Sequence, residues 1–238
     1  MTAKRFLPFL AAVVFATGGL TNAAIISQTQ NFSGIISVNS ASLNFNQFNL
    51  TLGTLQSIDI LFYLQANGGA MILDNDSNLP ASGVFQFGVT GSLFPTTDVE
   101  LFNSSYQSVI GWIGSYHSQA FTLGADNGDG PHTYDPCAPD GLLYYGTTDS
   151  NSASGFVGDV FWPHGIKGFL GTGTYDIKYS ITQLTDIGSI GGIQYAVNPA
   201  IASGYVTVTY NYDPVPEPAT ITLFTVGAFA LLKRKSKK

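Results

Sequence analysis

The chain has 238 residues, enough for one medium domain, and 45% of them are hydrophobic, so a core can form without metals or disulfides. Charged residues are only 10%, against ~25% in typical soluble domains, which leaves the polar surface to Ser, Thr, Asn, Gln and Gly. Fourteen acids but only two cations, Lys167 and Lys178, fall between residues 24 and 213; this balance near −12 excludes a basic phosphate-binding patch, and with it a nucleic-acid partner.

Residues 1–23 have the three parts of an export signal. Lys4 and Arg5 form a basic start, residues 6–16 are apolar apart from Pro8, and a small polar stretch ends in Thr21-Asn22-Ala23. The apolar run is too short to span a bilayer. Small residues at Thr21 and Ala23 suit a signal peptidase pocket, so cleavage is expected after Ala23, with Ala24 the next best site.

Residues 24–213 read as strands. Apolar and polar residues alternate from Ser42 through Leu52 apart from one slip at Asn46-Gln47, which reads as a bulge. A further strand follows in Ser57-Ile58-Asp59-Ile60-Leu61-Phe62-Tyr63-Leu64. From Gly83, the set Phe85, Phe87 and Val89 is the expected buried face. Tyr175-Asp176-Ile177-Lys178-Tyr179-Ser180-Ile181-Thr182 and the run from Gly204 to Tyr212 are rich in β-branched and aromatic residues. Turn signals stand at Asn67-Gly68-Gly69, Asp74-Asn75-Asp76-Ser77-Asn78, Asn127-Gly128-Asp129-Gly130 and Gly191-Gly192. No capped helical stripe interrupts this stretch. The prediction is an all-β fold, an antiparallel β-sandwich of jelly-roll-like or Ig-like form.

Phe48-Asn49-Leu50-Thr51-Leu52-Gly53-Thr54-Leu55-Gln56-Ser57-Ile58 resembles an early stretch of the bacterial choice-of-anchor E domains, with Asn49-Leu50 where that family has Asp-Pro. The resemblance implies a β domain combined with an exchangeable C-terminal anchor. It implies no chemistry.

Residues 124–154 form a long stretch rich in Asp, Gly, Ser and Asn, read as a loop. Within it Asp126-Asn127-Gly128-Asp129-Gly130 has the oxygen donors and glycine freedom of a calcium loop, which makes Asp126, Asn127 and Asp129 the metal candidates and calcium the one candidate cofactor. The same residues also make ordinary turns. Cys137 is alone, which excludes an intramolecular disulfide, and a lone thiol in an exported protein is expected to be buried. Tyr144-Tyr145 is the most suggestive aromatic pair for stacking on a sugar. His117, His132 and His164 lack zinc-type spacing, and no Gly-x-Ser-x-Gly elbow occurs. Glu100 and Glu217 are the only glutamates. The chain therefore reads as a non-enzyme.

The last segment orders three parts: Val215-Pro216-Glu217-Pro218, an apolar run over residues 221–232, and the cations Lys233, Arg234, Lys235, Lys237 and Lys238. The prolines keep Glu217 in an extended, accessible segment. The cations are expected to hold their end in the cytoplasm. Twelve helical residues rise only ~18 Å against a ~30 Å hydrocarbon core, which suits a temporary transmembrane anchor.

This order resembles the PEP-CTERM sorting signal of Gram-negative bacteria, in which an exosortase, a membrane protease-transpeptidase, acts at the Pro-Glu-Pro segment. The resemblance implies recognition at Pro216, Glu217 and Pro218 and attachment to the inner membrane before processing. It also implies an association with exopolysaccharide or biofilm. The chain thus divides into a signal peptide (1–23), a β-sandwich domain (24–213) and a sorting signal with a short helix (214–238). The expectation is an exported protein, anchored in the periplasm and then surface-bound or secreted. Its partners would be signal peptidase, an exosortase-like protease and extracellular polysaccharide. The alternative is a carbohydrate- or calcium-binding surface module.

Overall fold

Strands make up most of the computed structural model, which describes residues 23–35, 39–103, 105–157 and 166–215, and alternation of apolar and polar side chains builds most of them. Eleven strands occur among them: β1 (Ala24–Ile35), β2 (Asn39–Asn46), β3 (Gly53–Asn67), β4 (Ala70–Asn75), β5 (Ala81–Phe94), β6 (Ile113–Leu123), β7 (Gly141–Tyr145), β8 (Asp149–Phe156), β9 (Thr174–Asp186), β10 (Ile193–Asn198) and β11 (Ile201–Pro214). A single 3-10 turn, Lys167–Phe169, precedes β9. The sheets order as β1-β11-β3-β8, β10-β4-β7 and β2-β9-β5-β6, and every pairing between these strands is antiparallel.

The three-stranded sheet continues the first one across a crease. Asn67 faces Ile201 on one side of it and Ala70 faces Asn198 on the other, so the β3–β11 register carries on unslipped into β4–β10. Ala66 facing Asp149 and Ala70 facing Tyr145 show the same for β3–β8 and β4–β7. Glycines make the crease. Gly69 has φ 83°, and a Cβ there would meet the Ala200 backbone at 2.8 Å. Gly146 N–H donates to the Gly69 carbonyl at 3.1 Å. Asn67-Gly68-Gly69 therefore bends a continuing strand and does not reverse it.

Counting each creased strand once leaves eight. The first pairs with the last (β1–β11), the second with the seventh (β2–β9), the third with the sixth (β3–β8) and the fourth with the fifth (β5–β6). That nesting is a long hairpin rolled into two sheets, the jelly roll. It selects between the two sandwich forms expected from sequence.

The core lies between the sheets. Ile58, Ile60, Phe62 and Leu64 of β3 are buried completely, as are Val206, Val208 and Tyr210 of β11. Phe45, Tyr175, Ile177, Phe85 and Val89 meet them from the other sheet. The Tyr175 and Tyr210 hydroxyls bond across the layers at 2.8 Å, and Tyr210 donates onward to the Asn46 carbonyl at 2.9 Å, so Tyr175 supplies the proton between the rings. Burial pushes both phenols up, Tyr210 to about 12, and they stay neutral at physiological pH.

The structure corrects several sequence expectations. The alternating run that began at Ser42 does not bulge at Asn46-Gln47. The strand ends there, because Gln47 and Phe48 bond to Gly168, Phe169 and Gly173, and Asn49 caps a turn with its side chain. Residues 124–154 are a loop only as far as Asp140; β7 and most of β8 follow. β8 was illegible because it is an edge strand with polar side chains on both faces, held by backbone bonds to β3. Cys137 is exposed: its N–H bonds the Asp135 carboxylate in a tight turn, which leaves the thiol outside. The export signal apart from Ala23, the apolar segment 221–232, Pro216, Glu217, Pro218 and the basic cluster lie outside the described residues.

Phe62→Ala is expected to lower the unfolding free energy by about 3–5 kcal/mol, the range for removing a buried aromatic ring. Val84→Thr, on the exposed side of β5, should change it by less than about 0.5 kcal/mol. Urea titration of the two variants checks the assignment of inner and outer faces.

Candidate functional site

Both ends of the rolled hairpin meet at one pole. Ala24, the first residue of β1, faces Tyr212 of β11. Gly53, which opens β3, faces Pro214, and Val215 N–H donates to the Leu52 carbonyl at 3.0 Å. Ala23 and Ala24, the expected cleavage residues, thus lie beside the point where the chain leaves for Pro216.

β3 carries the sheet ~50 Å away from this pole, at ~3.3 Å per residue over fifteen residues. Beyond the crease, β4 ends in Asp74 and Asn75. Asn75 is wholly buried and organises the loop around it. Its side-chain amide donates to the carbonyls of Leu79 and Gly124, and its N–H donates to the Asp140 carbonyl. Asp126 N–H donates to the Ser77 carbonyl and Gly124 N–H to that of Pro139, which folds residues 124–140 back over the end of β4.

This folding gathers acids. The carboxylate oxygens of Asp126, Asp129 and Asp140 lie within 4.8 Å of one another. Asp126 accepts from Gly128 N–H at 2.8 Å. Asn127 donates to Asp140 through its backbone N–H at 2.7 Å and its side-chain amide at 3.3 Å. Its own side-chain oxygen accepts from Asp129 N–H. Asn127 therefore positions Asp140 and Asp129, and its side-chain oxygen keeps one lone pair beyond the Asp129 hydrogen bond. Asp76 accepts from the Gln194 side-chain amide.

Asp74 lies near this group, within reach of the charges of Asp129 and Asp140. It faces Gly141 on one side and Gln194 on the other, is 2% exposed, and its Oδ1 has no hydrogen-bond partner. Burial, then the Asp76 carboxyl beside it, then the charges of Asp129, Asp140 and Asp76 push its carboxyl up to about 6. Like charges at 4.8 Å repel by about 3 kcal/mol at an effective dielectric of ~20, and by less where solvent reaches Asp126 and Asp129. No lysine or arginine lies in β4, β7, β10 or the 124–140 loop to offset this. Sequence reasoning found Asp126 and Asp129 but read Asp74 and Asp76 as turn residues and passed over Asp140. The available signal was Asp74 directly after the apolar Met71-Ile72-Leu73.

A second feature lies where the edge strands β6 and β8 approach. An open cleft of about 450 Å³ is lined by Trp112, Ile113, Tyr116, Asp149, Ser150 and Asn151. Asn151 donates to the Gly114 carbonyl and Ser115 to that of Asp149, which ties the two edges together. Trp112 is 62% exposed at its rim. Tyr144 and Tyr145 do not form a joint platform. Tyr144 is buried edge-on to Phe85 and Phe87, and only Tyr145 is exposed. His117 stacks on Tyr144, His132 is exposed in the loop, and His164 lies outside the described residues.

A pH dependence follows from Asp74. Its folded pKa of about 6 exceeds the model-peptide value of 3.8, so the folded state holds a proton that the unfolded chain has lost between these values. Stability from this group is gained as pH falls from above 6 toward 4. In chelator, Asp74→Asn should raise the melting temperature at pH 7 and flatten its rise between pH 7 and pH 5, as read by thermal melts at both pH values.

Among the described residues, no helix is long and apolar enough to cross a membrane. No curated protein matches the chain in sequence. Solved structures with some likeness include the VP2 subviral particle of infectious bursal disease virus (9% identity, 90% of this chain and 49% of that one, TM-score 0.11). The Turnip Yellow Mosaic Virus structure shares 9% identity over 82% of this chain and 99% of that one, with TM-score 0.14. A virus-like particle of the giant freshwater prawn Macrobrachium rosenbergii nodavirus shares 9% identity over 91% and 97%, with TM-score 0.17. The chain spans about half the length of the VP2 chain. At these TM-scores the likenesses carry no argument, and the jelly-roll assignment rests on the strand order alone. Residues 214–238, in contrast, match the family model of the PEP-CTERM protein-sorting motif, and they begin at the last residue of β11. Residues 214–238 are therefore a PEP-CTERM sorting motif, which supports an exported protein, anchored in the membrane before processing and sorted by an exosortase system.

Proposed function

We propose that this protein is a non-enzymatic component of the cell surface or extracellular matrix, with the jelly roll as its mature part. The carrying observation is that the sorting motif begins at Pro214, where β11 ends. The chain accordingly falls into an export signal (1–23), a folded body (24–213) and a removable tail (214–238). Removal of the tail near Pro216, Glu217 and Pro218 takes away all five terminal cations and leaves a strongly acidic body. Such a body associates with extracellular polysaccharide through its uncharged hydroxyl- and amide-rich faces or through bridging ions. The shared pole of Ala24 and Pro214 supports this reading, because signal cleavage and sorting then act on the same membrane-facing end.

The cleft between β6 and β8 favours a second reading, a carbohydrate-binding module. An exposed indole beside Asp149, Ser150 and Asn151 combines a stacking face with hydroxyl-binding groups. Trp112→Ala should then weaken retention on the host's exopolysaccharide about tenfold, ~1.4 kcal/mol, in pull-down titrations. Unchanged retention would leave the passive matrix reading.

Intact mass of the protein from the host's envelope and medium tests the main reading. The expected species begins near Ala24 and ends near residues 216–218, with or without an adduct. Glu217→Ala should leave the tail attached and the protein in the membrane fraction. A wild-type species ending at Lys238 would overturn processing.

A further inference from the structure

We propose that the pole opposite the two chain ends is a calcium site, with Asp74, Asp126, Asp129 and Asp140 as ligands and Asp76 at its margin. The inference is independent of how the tail is processed.

Two separate observations point to a cation. The first is the convergence of the carboxylate oxygens of Asp126, Asp129 and Asp140 to within 4.8 Å of one another. The second is Asp74, a residue 2% exposed, whose Oδ1 accepts no hydrogen bond and whose carboxyl lies beside that of Asp76 and within reach of the charges of Asp129 and Asp140. A buried carboxylate oxygen without a donor is costly. A metal ion would satisfy it, and no lysine or arginine lies in the surrounding elements. Asn127 holds Asp140 from one side through two donors and leaves the remaining lone pairs of that carboxylate open to an ion.

The donor set decides which ion. It is all oxygen, with no histidine or thiol among the gathered ligands, which disfavours zinc and the later transition metals. Magnesium usually takes one or two carboxylates and keeps its waters, while calcium accepts six to eight oxygens in flexible geometry. Four carboxylates drawn from a strand end and a glycine-rich loop match calcium. Bound there, calcium would join the 124–140 loop to β4, adding to the hydrogen bonds of Asn75 with Gly124 and Asp140 and of Asp126 with Ser77.

The test uses the full chain in detergent, stripped with chelator and then melted and titrated with CaCl₂ or MgCl₂. Calcium at a hundredfold excess over its dissociation constant should raise the melting temperature by about 5–10 °C, and magnesium at the same concentration by clearly less. Asp129→Asn and Asp74→Asn should each lose the calcium increment and bind calcium at least about tenfold more weakly in calorimetric titration. Glu100→Gln, an exposed acid outside the cluster, should behave as wild type. The proposal is overturned if calcium shifts the wild-type melt no more than sodium chloride of equal ionic strength. Retention of the full increment by Asp129→Asn and Asp74→Asn would also overturn it.

Discussion

β11 runs between β1 and β3 from Ile201 to Tyr212, and the other contacts of the sandwich are arranged around that ladder. Its inward residues Val206, Val208 and Tyr210 fill the middle of the core, where Tyr210 meets Tyr175 of the opposite sheet. Its pairing with β1 places the start and the end of the described domain side by side. Its continuation across the crease as β10 carries the same register to the far pole, where Gln194 holds Asp76. A slip of one residue in this ladder would turn each buried side chain outward.

The low charge content of the chain has a structural counterpart on the outer face of the same sheet. Ser27 bonds Thr209 and Thr29 bonds Thr207 across β1 and β11. Tyr63 stacks on Tyr205 across β3 and β11 with centroids 4.9 Å apart. Asn211 donates to Ser57 and Asp59. Cross-strand hydrogen bonds and ring stacking, without ion pairs, thus do here what ion pairs do on many soluble proteins. The acids are concentrated where residues 124–140 fold over β4. The molecule has one pole where Ala24 and Pro214 meet and one pole dense in carboxylates.

Strands with one buried face were readable in the sequence, because period-two alternation records burial directly. Phe85, Phe87 and Val89 point inward as their spacing implies. β8 was not readable, since Asp149-Ser150-Asn151-Ser152 carries no apolar alternation and pairs by backbone alone. Asn67-Gly68-Gly69 was legible as a turn signal, but not as a crease within a continuing strand, because Asn-Gly-Gly chemistry permits both. Jelly roll and Ig-like sandwich could not be told apart without the long-range pairings. The acid cluster was half visible. Asp126 and Asp129 sit in one short motif, but Asp74 and Asp140 join them only through the β4–β7 ladder, which local pattern does not encode. The sorting motif over residues 214–238 was legible because it is read as linear sequence, without a fold.

The pairing of the first strand with the last also sets a timetable. A chain threaded across a membrane from its N-terminus delivers β1 first and β11 last. The central ladder of the sheet, with its sequence separations of more than a hundred residues, cannot begin to close until β11 has crossed. The apolar tail follows β11 within a few residues, so closure and tethering become nearly simultaneous events. The domain would then condense while held at the bilayer, at an effective dilution that keeps unpaired edges of neighbouring chains apart. The anchor would in this way serve first as a folding jig.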